Sequence, residues 1–113
     1  MIRIVFVEKD GRLNGFSVSG HAGYAPYGSD IVCSAVTSAV QLTVNDITEI
    51  CKAEADVETL ENEIKFKLAD NDTEKREISR AFLESLKLHV EILSEKYKGT
   101  IKIEEITGGA INA

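Results

Sequence analysis

The sequence predicts an α+β fold of ββαββαβ order, in which two long helices pack against one antiparallel or mixed sheet. Three observations carry this reading. Short stretches of β-branched and aromatic residues alternate with polar ones, two long stretches repeat apolar residues at helical spacing, and residues suited to turns or caps lie between them. With 113 residues, 43% of them hydrophobic and only one proline, the chain suits a single domain, 1–113, with one core.

Ile2 to Glu8 is β-branched and aromatic, Lys9-Asp10-Gly11-Arg12 has turn chemistry, and Leu13 to Ser19 carries Phe16 and Val18 in alternation. An opening hairpin follows from that pattern. The next ten residues, Gly20 to Ser29, hold three glycines and the only proline, so they read as a loop with special backbone demands. From Ser29 or Asp30, both plausible N-caps, apolar residues at helical spacing run through Val32, Val36, Val40, Val44 and Ile47 to Cys51, a helix of roughly twenty residues.

Alternation returns at Val57-Glu58-Thr59 and at Ile64-Lys65-Phe66-Lys67-Leu68, joined across Glu61-Asn62 as a second hairpin. Asp70-Asn71-Asp72-Thr73 is rich in capping residues, and Ile78, Phe82, Leu86, Val90, Leu93 and Tyr97 mark the expected buried stripe of a second long helix. Gly99 ends it. Ile101, Ile103 and Ile106 form a last strand, and residues 108–113 read as a frayed tail.

A formal charge of −6 repels phosphate backbones and anionic lipid, so nucleic acid is not expected as a direct partner, whereas a basic protein would be attracted. The apolar run at the N-terminus meets Glu8, Lys9 and Asp10 too soon for a signal peptide or a membrane span. The expected location is the cytoplasm, with no membrane partner and with both thiols, Cys33 and Cys51, reduced. No phosphate-binding glycine pattern occurs, and two histidines and two cysteines without metal-ligand spacing make neither a metal nor a cofactor expected. The acidic run Glu49, Glu54, Asp56, Glu58, Glu61 and Glu63 is most simply a solvated face.

The informative segment is Gly20-His21-Ala22 followed by Gly28-Ser29-Asp30-Ile31-Val32-Cys33. It puts an imidazole on a glycine-framed loop and a thiol in the first turn of the next helix. A helix N-terminus and a nearby imidazolium both stabilise a thiolate, and the free N–H groups of that turn suit a developing oxyanion. Glycines 20, 23 and 28 let the backbone fold back so that His21 reaches Cys33. The Asp30 carboxylate disfavours the thiolate unless it caps the helix or orients His21, the roles expected of it. Residue types alone leave a second reading open, in which Cys33 is a packed helix residue of a non-catalytic interaction module. Site-selective alkylation at neutral pH separates the two.

Gly20-His21-Ala22 and Gly28-Ser29-Asp30-Ile31-Val32-Cys33-Ser34-Ala35-Val36-Thr37 resemble the signature of the ribosomal-processing cysteine protease family. The resemblance implies a cytoplasmic, homodimeric cysteine endopeptidase that removes a short hydrophobic N-terminal extension from a large-subunit ribosomal protein. It implies Cys33 as nucleophile, His21 as base and Asp30 as support. Thr37 stands one helical turn after the cysteine, where the family has a small hydroxyl residue that is more often serine. Tyr24 and Tyr27 flank Pro26 in the loop, where their rings can line a groove for an apolar peptide or anchor the loop, with Gly20, Gly23 and Gly28 letting it close. Cys51, on the apolar side of the first helix near its C-terminal end, reads as core, and His89, whose nearest acid Glu91 is not on its own face, reads as structural.

Overall fold

The computed structural model describes residues 1–20 and 28–108, with the backbone alone at 28–30. Among these residues the order is β1 (Ile2–Lys9), β2 (Arg12–Ser19), α1 (Gly28–Asn45), β3 (Ala55–Leu60), β4 (Glu63–Leu68), α2 (Thr73–Lys96) and β5 (Ile101–Thr107). The expected ββαββαβ order is the observed one.

The strands form one sheet in the order β3-β4-β2-β1-β5. Its neighbours are antiparallel except β1 and β5, which pair in parallel with Ile2 opposite Ile101. The sheet is therefore mixed. The β1–β2 hairpin closes on Asp10 and Gly11, both at positive φ (55° and 76°), the pair of left-handed residues that a two-residue turn with the twist of a hairpin requires. Val7 pairs with Gly15 but Glu8 with Leu13, so β2 carries one extra residue, Asn14, as a bulge. Gly15 follows that bulge because nothing larger fits: a Cβ there would stand 2.3 Å from the Phe66 carbonyl oxygen of β4.

The core lies between one sheet face and both helices. Ile2, Ile4 and Phe6 of β1, Phe16 of β2 and Phe66 of β4 meet Val32, Val36, Val40 and Val44 of α1 and Leu83, Leu86 and Val90 of α2. Phe16 stacks on Phe66 with ring centroids 5.2 Å apart, continuing the layer across the middle of the sheet. After Asn45 the first helix widens into a π-helical turn over Asp46–Ile50, which keeps Ile47 fully buried and delivers Cys51 to its end. Cys51 is half-buried, with its thiol donating to the Lys75 carbonyl oxygen at 3.8 Å, in keeping with a structural role.

The start of α2 is set by two aspartates. The Asp72 side chain accepts from the Lys75 N–H as N-cap, and Asp70 accepts from the N–H groups of Glu54 and Asp72, both at 2.8 Å. Those two donors, Glu54 first, hold the Asp70 carboxyl below the usual carboxylate range.

The buried stripe of α2 differs from the expected one. Ser79, Leu83, Leu86, Val90 and Leu93 are buried, Phe82 and Tyr97 are half-buried, and Ile78 is exposed. The expected row runs by fours from Ile78 to Val90, and each such step advances 40° on a helix of 3.6 residues per turn, so its first residues lie off the true face. The inner face instead alternates steps of four and three. His89, expected to be structural, is exposed. No helix among the described residues is long and apolar enough to cross a membrane. Of the tail read as frayed, residues 109–113 lie outside the described residues.

Candidate active site

The candidate site is bounded by two backbone positions, the end of β2 and the start of α1. Gly20 follows the last residue of β2 with φ +72°, which a glycine adopts without the steric cost that falls on any residue bearing a Cβ. Its N–H donates to the Asn62 carbonyl oxygen at 3.2 Å, and a Cβ at this position would come within 2.7 Å of the Met1 carbonyl oxygen. The chain is thus pinned between the start of β1 and the β3–β4 turn at the point where it leaves for His21. Neither Met1 nor Asn62 was expected here. Asn62 showed only as a turn residue, and their meeting at Gly20 depends on strand register.

α1 begins at Gly28, so Cys33 is its sixth residue and not part of its first turn. The cap expectation at Ser29 or Asp30 placed the start one or two residues too late. The N–H groups without intrahelical partners consequently belong to the turn before Cys33. Helical side chains lean toward the N-terminus, so a thiol at position 33 is directed back toward that turn. By helical spacing, positions 30, 33 and 37 run along one side of α1. Cys33 is half-buried, packed against the core beside the buried Val32 and Val36, while Thr37 is exposed. The thiol is therefore seated on a rigid, well-packed element.

His21, Gly23, Tyr24 and Tyr27 lie outside the described residues, as do the side chains at 28–30, including Asp30. The described part of the site is therefore Gly20, the backbone of the first turn of α1, Cys33 and Thr37. The concavities found elsewhere do not include the thiol. One of about 940 Å³ spreads over the sheet face that carries no helix, between Arg3, Val5, Lys65 and Lys67, and one of about 450 Å³ lies between Ile50, Cys51, Ile78 and Phe82. Among the described residues, neither is lined by a histidine. Among the described residues no three His, Cys, Asp or Glu side chains are grouped to hold a metal ion.

Comparison with known proteins adds three findings. A family model described as cysteine protease Prp matches residues 1–102, a span that includes the whole of the candidate site. The ribosomal processing cysteine protease Prp of Staphylococcus aureus is 24% identical over 99 residues, covering 88% of this chain and 92% of that protein. Crystal structures of an essential ribosomal processing protease Prp from S. aureus share the fold. The one with a covalently linked product peptide has a TM-score of 0.80 at 20% identity, and the one with a substrate peptide 0.81 at 18%; both cover 93% of this chain and 99% of the other.

Proposed function

The chain belongs to the cysteine protease Prp family, and from that premise we propose that it is an endopeptidase with Cys33 as nucleophile and His21 as base. Its substrate on this reading is a large-subunit ribosomal protein, from which it removes a short hydrophobic N-terminal extension during ribosome maturation. The observation that carries the reading is the family match over residues 1–102, which encloses a thiol held on α1 and a glycine-framed segment that leaves β2 at Gly20.

The chemistry follows from those positions. The Cys33 thiolate attacks the scissile carbonyl carbon, and the carbonyl oxygen takes up the electron pair, facing the free N–H groups of the first turn of α1. His21, holding the proton of the thiol, delivers it to the departing amine as the C–N bond breaks, leaving a thioester on Sγ. Water then attacks the thioester, gives a proton to His21, and releases the N-terminal fragment as a carboxylate. Asp30 orients His21 or stabilises the N-terminal end of α1, and Thr37 presents a hydroxyl one turn from the thiol. Tyr24 and Tyr27 supply apolar area for the hydrophobic extension, with Gly20, Gly23 and Gly28 in the same substrate-binding stretch of the sequence.

The enzyme on this reading is one domain, 1–113, works in the cytoplasm as a homodimer, needs no cofactor, and meets its basic substrate through a net charge of −6 without binding nucleic acid directly. The test is incubation with the ribosomal protein carrying its extension, followed by mass measurement of both products. Cleavage at one bond at the end of the extension is expected. An uncleaved substrate under conditions where it binds leaves the interaction-module reading in its place.

A further inference from the structure

A row of directly opposed residues crosses the sheet from Phe6 to Phe16, Phe66 and Val57. The three rings are at most 3% exposed, but Val57, the last in the row, is 42% exposed. The apolar layer of the core thus runs out to β3 and ends there uncovered. β3 is the outermost strand on that side, and among the described residues nothing pairs with the N–H and C=O groups of its far edge. Such an edge is a template for another strand, ordinarily guarded by proline, a bulge or charged side chains. β3 has no proline and pairs with β4 in unbroken register over its six residues, so its guards are Asp56 and Glu58 alone. They flank Val57 in sequence and lie on the opposite side of the strand, where both line the concavity of the helix-free sheet face. Neither carboxylate has an ion-pair partner among the described residues, although Lys67 and Lys65 stand opposite them on β4. On the other edge strand, by contrast, Glu104 pairs with Arg3 at 3.0 Å and Glu105 with Lys87 at 2.8 Å.

We propose that the β3 edge takes up the substrate on the C-terminal side of the scissile bond, as an added antiparallel strand whose residues run basic, apolar, basic. The inference rests on the endopeptidase reading above and gives that site a second anchor. Position and direction come from the turn after β3. The Asn62 carbonyl oxygen accepts from the Gly20 N–H, so the Leu60 end of β3 lies where the chain leaves β2 for His21. Substrate chain leaving the site beyond the cleaved bond meets that end first and runs on toward Ala55, which is antiparallel to β3. The peptide residue opposite Val57 then continues the aromatic row and is apolar, and its two neighbours face Glu58 and Asp56 and are lysine or arginine. Main-chain bonds supply affinity, and the alternating side chains supply specificity. The same two carboxylates turn away a second copy of the edge, because antiparallel pairing about Val57 sets Asp56 against Glu58.

Cleavage kinetics of the full chain on two kinds of peptide test the proposal. Both carry the extension and scissile bond of the ribosomal protein, and the longer kind continues through Gly-Ser spacers of graded length into Lys-Val-Lys. At the best spacer the longer peptide should show KM lower by about tenfold with kcat unchanged, the mark of binding shared by ground and transition states. Glu-Val-Glu in place of Lys-Val-Lys should lose that gain. Asp56→Asn combined with Glu58→Gln should lose most of it and cleave the shorter peptide as the wild type does. A strand bonds its neighbour through every second N–H, so N-methylation of alternate peptide residues should remove the gain in one phase and spare it in the other. A longer peptide no better at any spacer, a gain that survives the Asn and Gln pair, or a gain indifferent to both methylation phases overturns the added strand and leaves the endopeptidase standing. Cleavage of neither peptide by the wild-type chain removes the endopeptidase reading and this anchor with it.

Discussion

Replacing Gly20 by alanine should damage the site by a mechanism that a second glycine can isolate. Gly11 and Gly20 share a left-handed backbone, at φ +76° and +72°. An alanine at either pays about 1–2 kcal/mol for that conformation. They differ in their surroundings. A Cβ at Gly11 meets nothing within 4 Å, whereas one at Gly20 would stand 2.7 Å from the Met1 carbonyl oxygen, a backbone atom that cannot swing aside. Forcing that contact open costs about 1–3 kcal/mol more, giving about 2–5 kcal/mol for Gly20→Ala against about 1–2 kcal/mol for Gly11→Ala. The displacement falls on the residue that precedes His21. A misplacement of about 1 Å at a reacting group can cost on the order of a hundredfold in rate, so kcat/KM should fall well over tenfold in Gly20→Ala and stay near wild type in Gly11→Ala. Urea unfolding followed by circular dichroism reads the first quantity, and cleavage of a substrate peptide at neutral pH reads the second. If the two variants match in both stability and activity, the clamp at Gly20 has no part in placing the site.

Three further outcomes are expected. His21→Ala should slow alkylation of Cys33 at neutral pH by about tenfold or more, because the thiolate loses its charge partner; equal rates across the pH range would mean that the side chains do not interact. Asp30→Asn should slow it by less, measured with the same reagent, and an effect larger than that of His21→Ala would contradict a supporting role. Asp70→Asn should make the protein less stable at neutral pH and flatten the acid limb of its urea midpoint against pH. The Asp70 carboxyl is held below the ordinary range in the folded state, so its contribution is present above the unfolded value of about 3.9 and is lost as pH falls through the folded one. An acid limb as steep in Asp70→Asn as in the wild type would place the dependence elsewhere.

Much of the fold was legible because its signals are local. Asp10-Gly11 announced the first hairpin, Glu61-Asn62 the second, and the run of apolar residues from Val32 to Ile47 the first helix. What stayed hidden is set by residues far apart in the chain. The parallel pairing of β1 with β5 joins the two ends of the described chain, and the bulge at Asn14 depends on how β2 meets its neighbours on both sides. The N-terminal half of the α2 face was misjudged because the row was carried by fours from Ile78 to Val90, which set Ile78 inside and left out Leu83, a fully buried residue. At the site, a glycine before the histidine signalled its backbone need, and the change from loop to apolar periodicity put Cys33 on α1. Its depth in the helix was misread, since Ser29 and Asp30 look like caps and instead follow Gly28 within the first turn. The clamp of Met1 and Asn62 on Gly20 has no sequence signal, because it exists only once β1 and the β3–β4 turn are assembled around β2.

The central claim is that Cys33 is acylated during cleavage, and intact-mass measurement of the protein quenched in acid during turnover tests it most directly. The account predicts a transient adduct equal to the N-terminal fragment of the substrate less one water, mapped by peptide mass to Cys33, absent in Cys33→Ala and present in Cys51→Ala. Full turnover by Cys33→Ala, or an adduct that maps to Cys51, would contradict it.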